Sequence, residues 1–139
     1  MHKSRPLLLV EDDQVDARAV KRALDDLNMA DSVVHLPNGE EALAYLRSGV
    51  NERPCLILLD LNMPRMNGIE FLREVKNDPS LRRIPIVVLT TSREDRDVLG
   101  TFEHSVAGYM VKPIDYPKFV QTIQAIAEYW SLSVLPAGV

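Results

Sequence analysis

The residues of this 139-residue chain best suited to chemistry each follow a short apolar run. Leu7–Val10 leads into Glu11–Asp12–Asp13, and Cys55–Leu59 into Asp60, followed by Leu61–Asn62–Met63–Pro64. Ile86–Leu89 leads into Thr90–Thr91–Ser92, and Tyr109–Val111 into Lys112–Pro113. If the runs are neighbouring strands, these acids, hydroxyls and one lysine share an edge. Two carboxylates about 4 Å apart repel by roughly 4 kcal/mol at an effective dielectric near 20. Such an edge takes up either a proton or a divalent cation. An oxygen-only ligand set that leaves positions open suits magnesium, which keeps waters and accepts a phosphate oxygen. Beside it, a lysine is a compact charge for one phosphoryl oxygen and a threonine hydroxyl can donate to another. An aspartate in that setting is a credible phosphoryl acceptor by nucleophilic attack. Singly, the same residues read as helix caps, turn hydroxyls and solvated charges. Their joint placement points to a metal-dependent phosphate site.

The elements that must position them alternate in type. Several of the apolar runs lack polar alternation, as strands covered on both faces do, and Val33–Leu36, ending in Pro37–Asn38, supplies a fifth. Asp13 is placed to cap a helix whose stripe is Val15, Ala19, Val20, Ala23, Leu24 and Leu27. Asn38 with Glu41, and Asn67 with Glu70, resemble capping boxes. Gly49 and Asp78–Pro79 are natural stops. Ser92 with Asp95 opens a weak fourth helix. Asp115 with Pro117 opens a fifth, with stripe Phe119, Ile123, Ile126 and Trp130. Strand–helix repeated five times predicts an α/β fold, a doubly wound parallel sheet with helices on both faces, in one domain spanning 1–139. Ligands of such sheets bind beyond the carboxyl ends of the strands.

Composition narrows the function classes. The chain is 46% apolar and 26% charged, ordinary globular usage. A net charge of −4 argues against a dedicated nucleic-acid binder. No apolar run is long enough to span a membrane, and no signal-peptide core follows the polar start. Cys55 is the lone cysteine, so neither an internal disulfide nor a cysteine-based zinc cluster is available. His2, His35 and His104 share no metal-like spacing. The expectation is a cytoplasmic protein.

Four motifs in this order resemble a response-regulator receiver domain. They are Leu8–Leu9–Val10–Glu11–Asp12–Asp13, Leu58–Leu59–Asp60–Leu61–Asn62–Met63–Pro64 with Gly68, Val88–Leu89–Thr90–Thr91–Ser92, and Gly108–Tyr109–Met110–Val111–Lys112–Pro113. The resemblance covers roughly residues 6–130 and implies a flavodoxin-like sheet of order 2-1-3-4-5 with five helices. It implies that Asp60 accepts a phosphoryl group from the phosphohistidine of a sensor histidine kinase. Asp12, Asp60 and the Asn62 backbone carbonyl would hold Mg²⁺, or Mn²⁺ in its place, with Glu11 acting through water. Lys112 would clamp phosphoryl oxygens, and Thr90 and Tyr109 would form the switch. Asn62 and Ser92 occupy positions that tune autodephosphorylation in the family. Thr91 stands where many receivers carry alanine. The family also implies a cis Lys112–Pro113 bond, against an ordinary cis frequency of about 5–6% for X–Pro.

After Trp130 only nine residues remain, so the expectation is a stand-alone receiver that signals by contact. The apolar tail 131–139, with Tyr129–Trp130, reads either as completing a homodimer along the fourth and fifth helices or as folding back on its own domain, and the homodimer is the expectation carried forward. Details such as Leu89–Thr90–Thr91–Ser92 and the Tyr129–Trp130 ending are similar to receivers paired with bacterial and cyanobacterial phytochrome kinases. One alternative is a phosphorylation-independent pseudo-receiver, against which intact Asp60, Thr90 and Lys112 argue. A haloacid-dehalogenase-like aspartyl phosphatase would need its nucleophile on the first strand, with a second acid two residues on. Here Asn62 stands at that distance from Asp60. A calcium loop starting at Asp12 or Asp13 lacks the glycine and glutamate it requires.

Overall fold

A computed structural model describes residues 5–29, 33–91, 94, 98, 100, 101 and 103–132. Its strands are β1 (Leu7–Val10), β2 (Val33–Leu36), β3 (Leu56–Leu59), β4 (Ile86–Thr90) and β5 (Gly108–Val111). The helices α1 (Gln14–Asp25), α2 (Gly39–Arg47) and α3 (Gly68–Asn77) separate the first four strands, and Tyr116–Leu132 follows β5. Between β4 and β5, residues 98, 100, 101 and 103 are helical, and this segment is labelled α4, making Tyr116–Leu132 α5. The expected start of α4 at Ser92 and Asp95 lies outside the described residues, as do tail residues 133–139.

All strand pairings are parallel and the order is β2-β1-β3-β4-β5, as expected. Successive side chains of a strand point to opposite faces. Leu8, Val10, Ile57, Leu59, Ile86 and Val88 therefore pack with Ala42, Leu43, Phe71, Leu72 and Val75 of α2 and α3. Their neighbours Leu7, Leu9, Leu56, Leu58, Val87 and Leu89 pack with Ala19, Val20, Ala23, Phe119 and Ile123 of α1 and α5. Every residue of β1, β3 and β4 is buried. The two outer strands are only half-buried over most of their length, which is what an edge position produces.

The caps form where the sequence places them. Asp13 accepts from the backbone N–H groups of Val15 and Asp16 at 2.8 and 3.1 Å. Asn67 and Glu70 make a full capping box. The Asn38 pair differs: its side chain accepts from the Glu41 N–H at 3.0 Å, but the Glu41 carboxylate accepts from the Asn38 amide at 2.9 Å, a side-chain partner in place of the backbone one. Gly49, beyond α2, has φ of 75°, the left-handed conformation that glycine adopts without penalty. Asp78, held extended before Pro79, ends α3.

Register fixes which polar residues leave the sheet together. Val10 is level with Leu36 and Leu59, and Thr90 with Val111. The ladder continues one residue further: Asp60 N–H donates to the Val10 carbonyl at 3.0 Å, and Lys112 N–H to the Thr90 carbonyl at 2.8 Å. Glu11, Asp60, Thr90 and Lys112 are thereby delivered to one edge.

Candidate functional site

At that edge Glu11, Asp60, Thr90 and Lys112 are all buried, while Asp12 and Asn62 are exposed. Glu11, Asp12 and Asp60 each offer an oxygen, and these oxygens lie within 4.8 Å of one another. An all-carboxylate set of this kind, one member open to solvent, fits a hard divalent cation that keeps some of its waters.

Lys112 joins the acids from the end of β5. Its Nζ lies 2.6 Å from Glu11 Oε1, 2.7 Å from Asp16 Oδ2 and 3.6 Å from Asp60 Oδ2. At 3.6 Å and an effective dielectric near 20, the attraction between Lys112 and Asp60 is about 5 kcal/mol. Burial pushes the Lys112 ammonium down, but its hydrogen bonds to Asp16 and Glu11 and the nearby charges of Glu11 and Asp60 outweigh burial and hold it above the ordinary lysine range.

Glu11 carries the burden of the cluster. Burial, and then the hydrogen bond and charge of Asp60, raise its pKa from 4.5 to about 8, with Lys112 opposing the shift. Glu11 therefore gives up its proton less readily than an ordinary glutamate. Its backbone carbonyl accepts from His35 Nε2 at 2.7 Å, so His35 is a packed residue of β2.

The loop after β3 orients the acceptor. Asn62 N–H donates to Asp60 Oδ1 at 3.3 Å, and the Asn62 side-chain amide donates to Thr90 Oγ1, also at 3.3 Å. Gly68 makes the loop possible: a Cβ there would meet Leu61 Cα at 2.6 Å and the Asp60 carbonyl oxygen at 2.8 Å. Tyr109 on β5 is half-buried and packs against the core on the α2–α3 side of the sheet.

The structure therefore brings Glu11, Asp12, Asp60, Asn62, Thr90 and Lys112 together. Glu11 meets Lys112 directly. The Lys112–Pro113 peptide is trans, correcting the cis bond that the resemblance implied; trans is the favoured form of an X–Pro bond by about 0.5–1 kcal/mol. Sequence reasoning missed Asp16 as a partner of Lys112. Its signal was its place in the first turn of α1, three residues after the Asp13 cap, which brings it back toward the strand ends.

Comparison with known proteins agrees with this geometry. A family model described as the response regulator receiver domain matches residues 7–124. The response regulator Rcp1 of Synechocystis sp. is 40% identical over 137 residues, covering 95% of this chain and 93% of that protein. A probable methanogenesis regulatory protein, FilR2 of Methanothrix harundinacea, is 38% identical over 127 residues, covering 89% and 82%. The crystal structure of the phosphorylated cyanobacterial phytochrome response regulator RcpA superposes with a TM-score of 0.91 at 38% identity, covering 97% of this chain and all of that one. A manganese-bound form of Rcp1 superposes with a TM-score of 0.86 at 37% identity, over 96% and 99% of the two chains.

Proposed function

Because this chain belongs to the response-regulator receiver family, a family of signalling proteins, we propose that Asp60 accepts a phosphoryl group from the phosphohistidine of a sensor histidine kinase. The observation that carries the proposal is the convergence of the Glu11, Asp12 and Asp60 oxygens within 4.8 Å, with Lys112 Nζ 3.6 Å from Asp60. Receivers bind a divalent metal, and the acid cluster suits Mg²⁺ in that role. Asp12, Asp60 and the Asn62 carbonyl would hold the ion, with Glu11 acting through water, and its charge would offset that of a phosphoryl group.

The chain's own groups supply the rest. A carboxylate oxygen of Asp60 attacks phosphorus as the bond to the imidazole nitrogen breaks, so one P–O bond forms for each P–N bond lost. The Lys112 ammonium stands beside Asp60 to clamp the transferred oxygens. The Thr90 hydroxyl donates to the phosphoryl group once it is in place, and Tyr109 follows on the adjacent strand. That local charge change biases α4, β5 and α5 between two arrangements.

Two finer readings accompany it. A phytochrome-type kinase is the proposed donor, supported by the likeness to RcpA and Rcp1. A homodimer through α4, α5 and the tail is proposed on the exposure of Met110, Ile114, Tyr116 and Tyr129, with the Tyr129 and Trp130 rings 4.6 Å apart at the end of α5. No helix among the described residues is long and apolar enough to cross a membrane, and cytoplasmic action is the proposed setting.

Intact mass after incubation with Mg²⁺ and acetyl phosphate tests the acceptor. One added phosphoryl group is expected, absent in Asp60→Asn and after prior chelation. An adduct that survives in Asp60→Asn sinks the assignment. Phosphotransfer from an autophosphorylated phytochrome kinase then tests the donor, and a kinase of another sensor class transferring faster would overturn that part.

A further inference from the structure

At the opposite end of the sheet a second feature is unused by the acceptor chemistry. A cleft of about 560 Å³ opens between the α3–β4 connection and the α4–β5 connection. The α3–β4 side lines it with Lys76, Asn77, Arg82 and Arg83, the α4–β5 side with Glu103, His104 and Ser105, and Ile84, Pro85 and Ala107 are its apolar members. Three cations thus stand against a single carboxylate, on a chain whose net charge is −4.

Among the described residues these cations are not ion-paired. Elsewhere Arg47 pairs with Glu74 and Asp78, and Arg65 with Glu40. Lys76, Arg82 and Arg83 have no ion-pair partner among the described residues; Lys76 Nζ instead donates to the Arg82 carbonyl at 3.0 Å, drawing the connection against the end of α3. Burial holds the Lys76 ammonium below its ordinary range, so a nearby anion relieves a standing cost.

We propose that this cleft docks an acidic peptide segment of a protein partner, its carboxylates on Lys76, Arg82 and Arg83 and an apolar side chain on Ile84, Pro85 and Ala107. Shape favours a segment over a small ligand. Arg82, Arg83, Glu103, Ser105 and Ala107 are all exposed, so the cleft is open, whereas small-molecule sites enclose about 70–90% of their ligand. Glu103 has a role in this picture too, since an extended segment brings backbone N–H donors. The cleft adjoins Ile86 at the start of β4, while Thr90 ends that strand at the acceptor edge, about 13 Å away at the strand rise. The cleft and the acceptor edge therefore stand at opposite ends of β4.

The test is an amide NMR titration of the full chain with the hexapeptide Glu-Glu-Leu-Glu-Glu-Leu, with Lys-Lys-Leu-Lys-Lys-Leu as control. Shifts confined to residues 76–85 and 103–107 are expected for the acidic peptide alone, fading as salt screens the charges. The double change Arg82→Glu with Arg83→Glu, both exposed, should weaken binding by roughly ten-fold or more while leaving labelling by acetyl phosphate intact. Lys76→Met should weaken it independently. Shifts scattered over other surface cations, or undiminished binding by the charge-reversed protein, overturn the proposal. So does tighter binding of ADP or inorganic phosphate than of the peptide in this cleft, which would make it a small-anion site.

Discussion

Asn62 and Thr90, 28 residues apart in the chain, meet at 3.3 Å, side-chain amide to hydroxyl. Through its backbone N–H the same asparagine also holds Asp60 Oδ1 at 3.3 Å. One residue thus links the proposed acceptor to the proposed switch hydroxyl before any phosphoryl group arrives. Residues in direct contact have non-additive effects on stability. Asn62→Ala and Thr90→Val should couple by about 1 kcal/mol in a urea double-mutant cycle, the double variant losing less than the singles combined. Strict additivity would mean the bond does not form in solution.

Stability without metal should depend on pH through Glu11. Its pKa is 4.5 in the unfolded reference and about 8 in the folded protein, so between those values the folded state holds a proton the unfolded chain lacks. Stability is then greatest below the lower value and falls as pH rises toward the upper, by up to about 1.4 kcal/mol per pH unit. Urea melts in EDTA at pH 5.5, 7 and 8.5 should show this decline. Glu11→Gln should flatten it, and Mg²⁺ should restore stability most at the alkaline end.

Lys112 and Asp16 separate clamp from anchor. Lys112→Met removes the cation 3.6 Å from Asp60, and initial labelling by acetyl phosphate should fall by about 10²–10³-fold. Asp16 touches Lys112 at 2.7 Å but is not among the three clustered acids. Asp16→Asn should slow labelling by only a few-fold and leave Mg²⁺ affinity unchanged, read by calorimetry. A large loss of metal binding in that variant would place Asp16 among the ligands.

Gly68→Ala forces a methyl group to 2.6 Å from Leu61 Cα and 2.8 Å from the Asp60 carbonyl oxygen. Backbone cannot yield as a flexible side chain does, so a loss of about 1–3 kcal/mol is expected in thermal unfolding, together with slower labelling. Asn67→Ala, one residue earlier, removes the capping box and should cost about 1 kcal/mol with labelling intact. The contrast between the two separates strain at the acceptor from simple loss of a cap.

The fold was legible because its signals are local. Unbroken runs such as Leu56–Leu59 mark buried strands, and Asp13, Asn67 and Gly49 mark helix ends by hydrogen bonding or φ alone. The convergence of Glu11, Asp60, Thr90 and Lys112 followed from strand alternation, since parallel strands end on a common edge. What escaped depended on side-chain direction across elements. The first-turn position of Asp16 hints at its place near the strand ends, but its contact with Lys112, like that of Asn62 with Thr90, is set by packing across elements. The trans Lys112–Pro113 bond shows the limit of carrying over a family trait. The basic cleft was visible in sequence only as the pair Arg82–Arg83, because Lys76 and the α4–β5 side join it in space.

The segment between Asp60 and Gly68 has almost no slack. Arg65 and Met66 both sit at positive φ, 53° and 88°, Met66 is within 3.0 Å of where a Gly39 Cβ would stand, and Gly68 is pressed onto Leu61. Loop length is therefore not a free variable here, and a one-residue insertion would have to be absorbed by moving the acceptor itself. Divergence in partner choice, whether by natural drift or by a protein engineer, is steered away from this stretch and toward exposed positions such as Met110 on β5 and Tyr129 on α5.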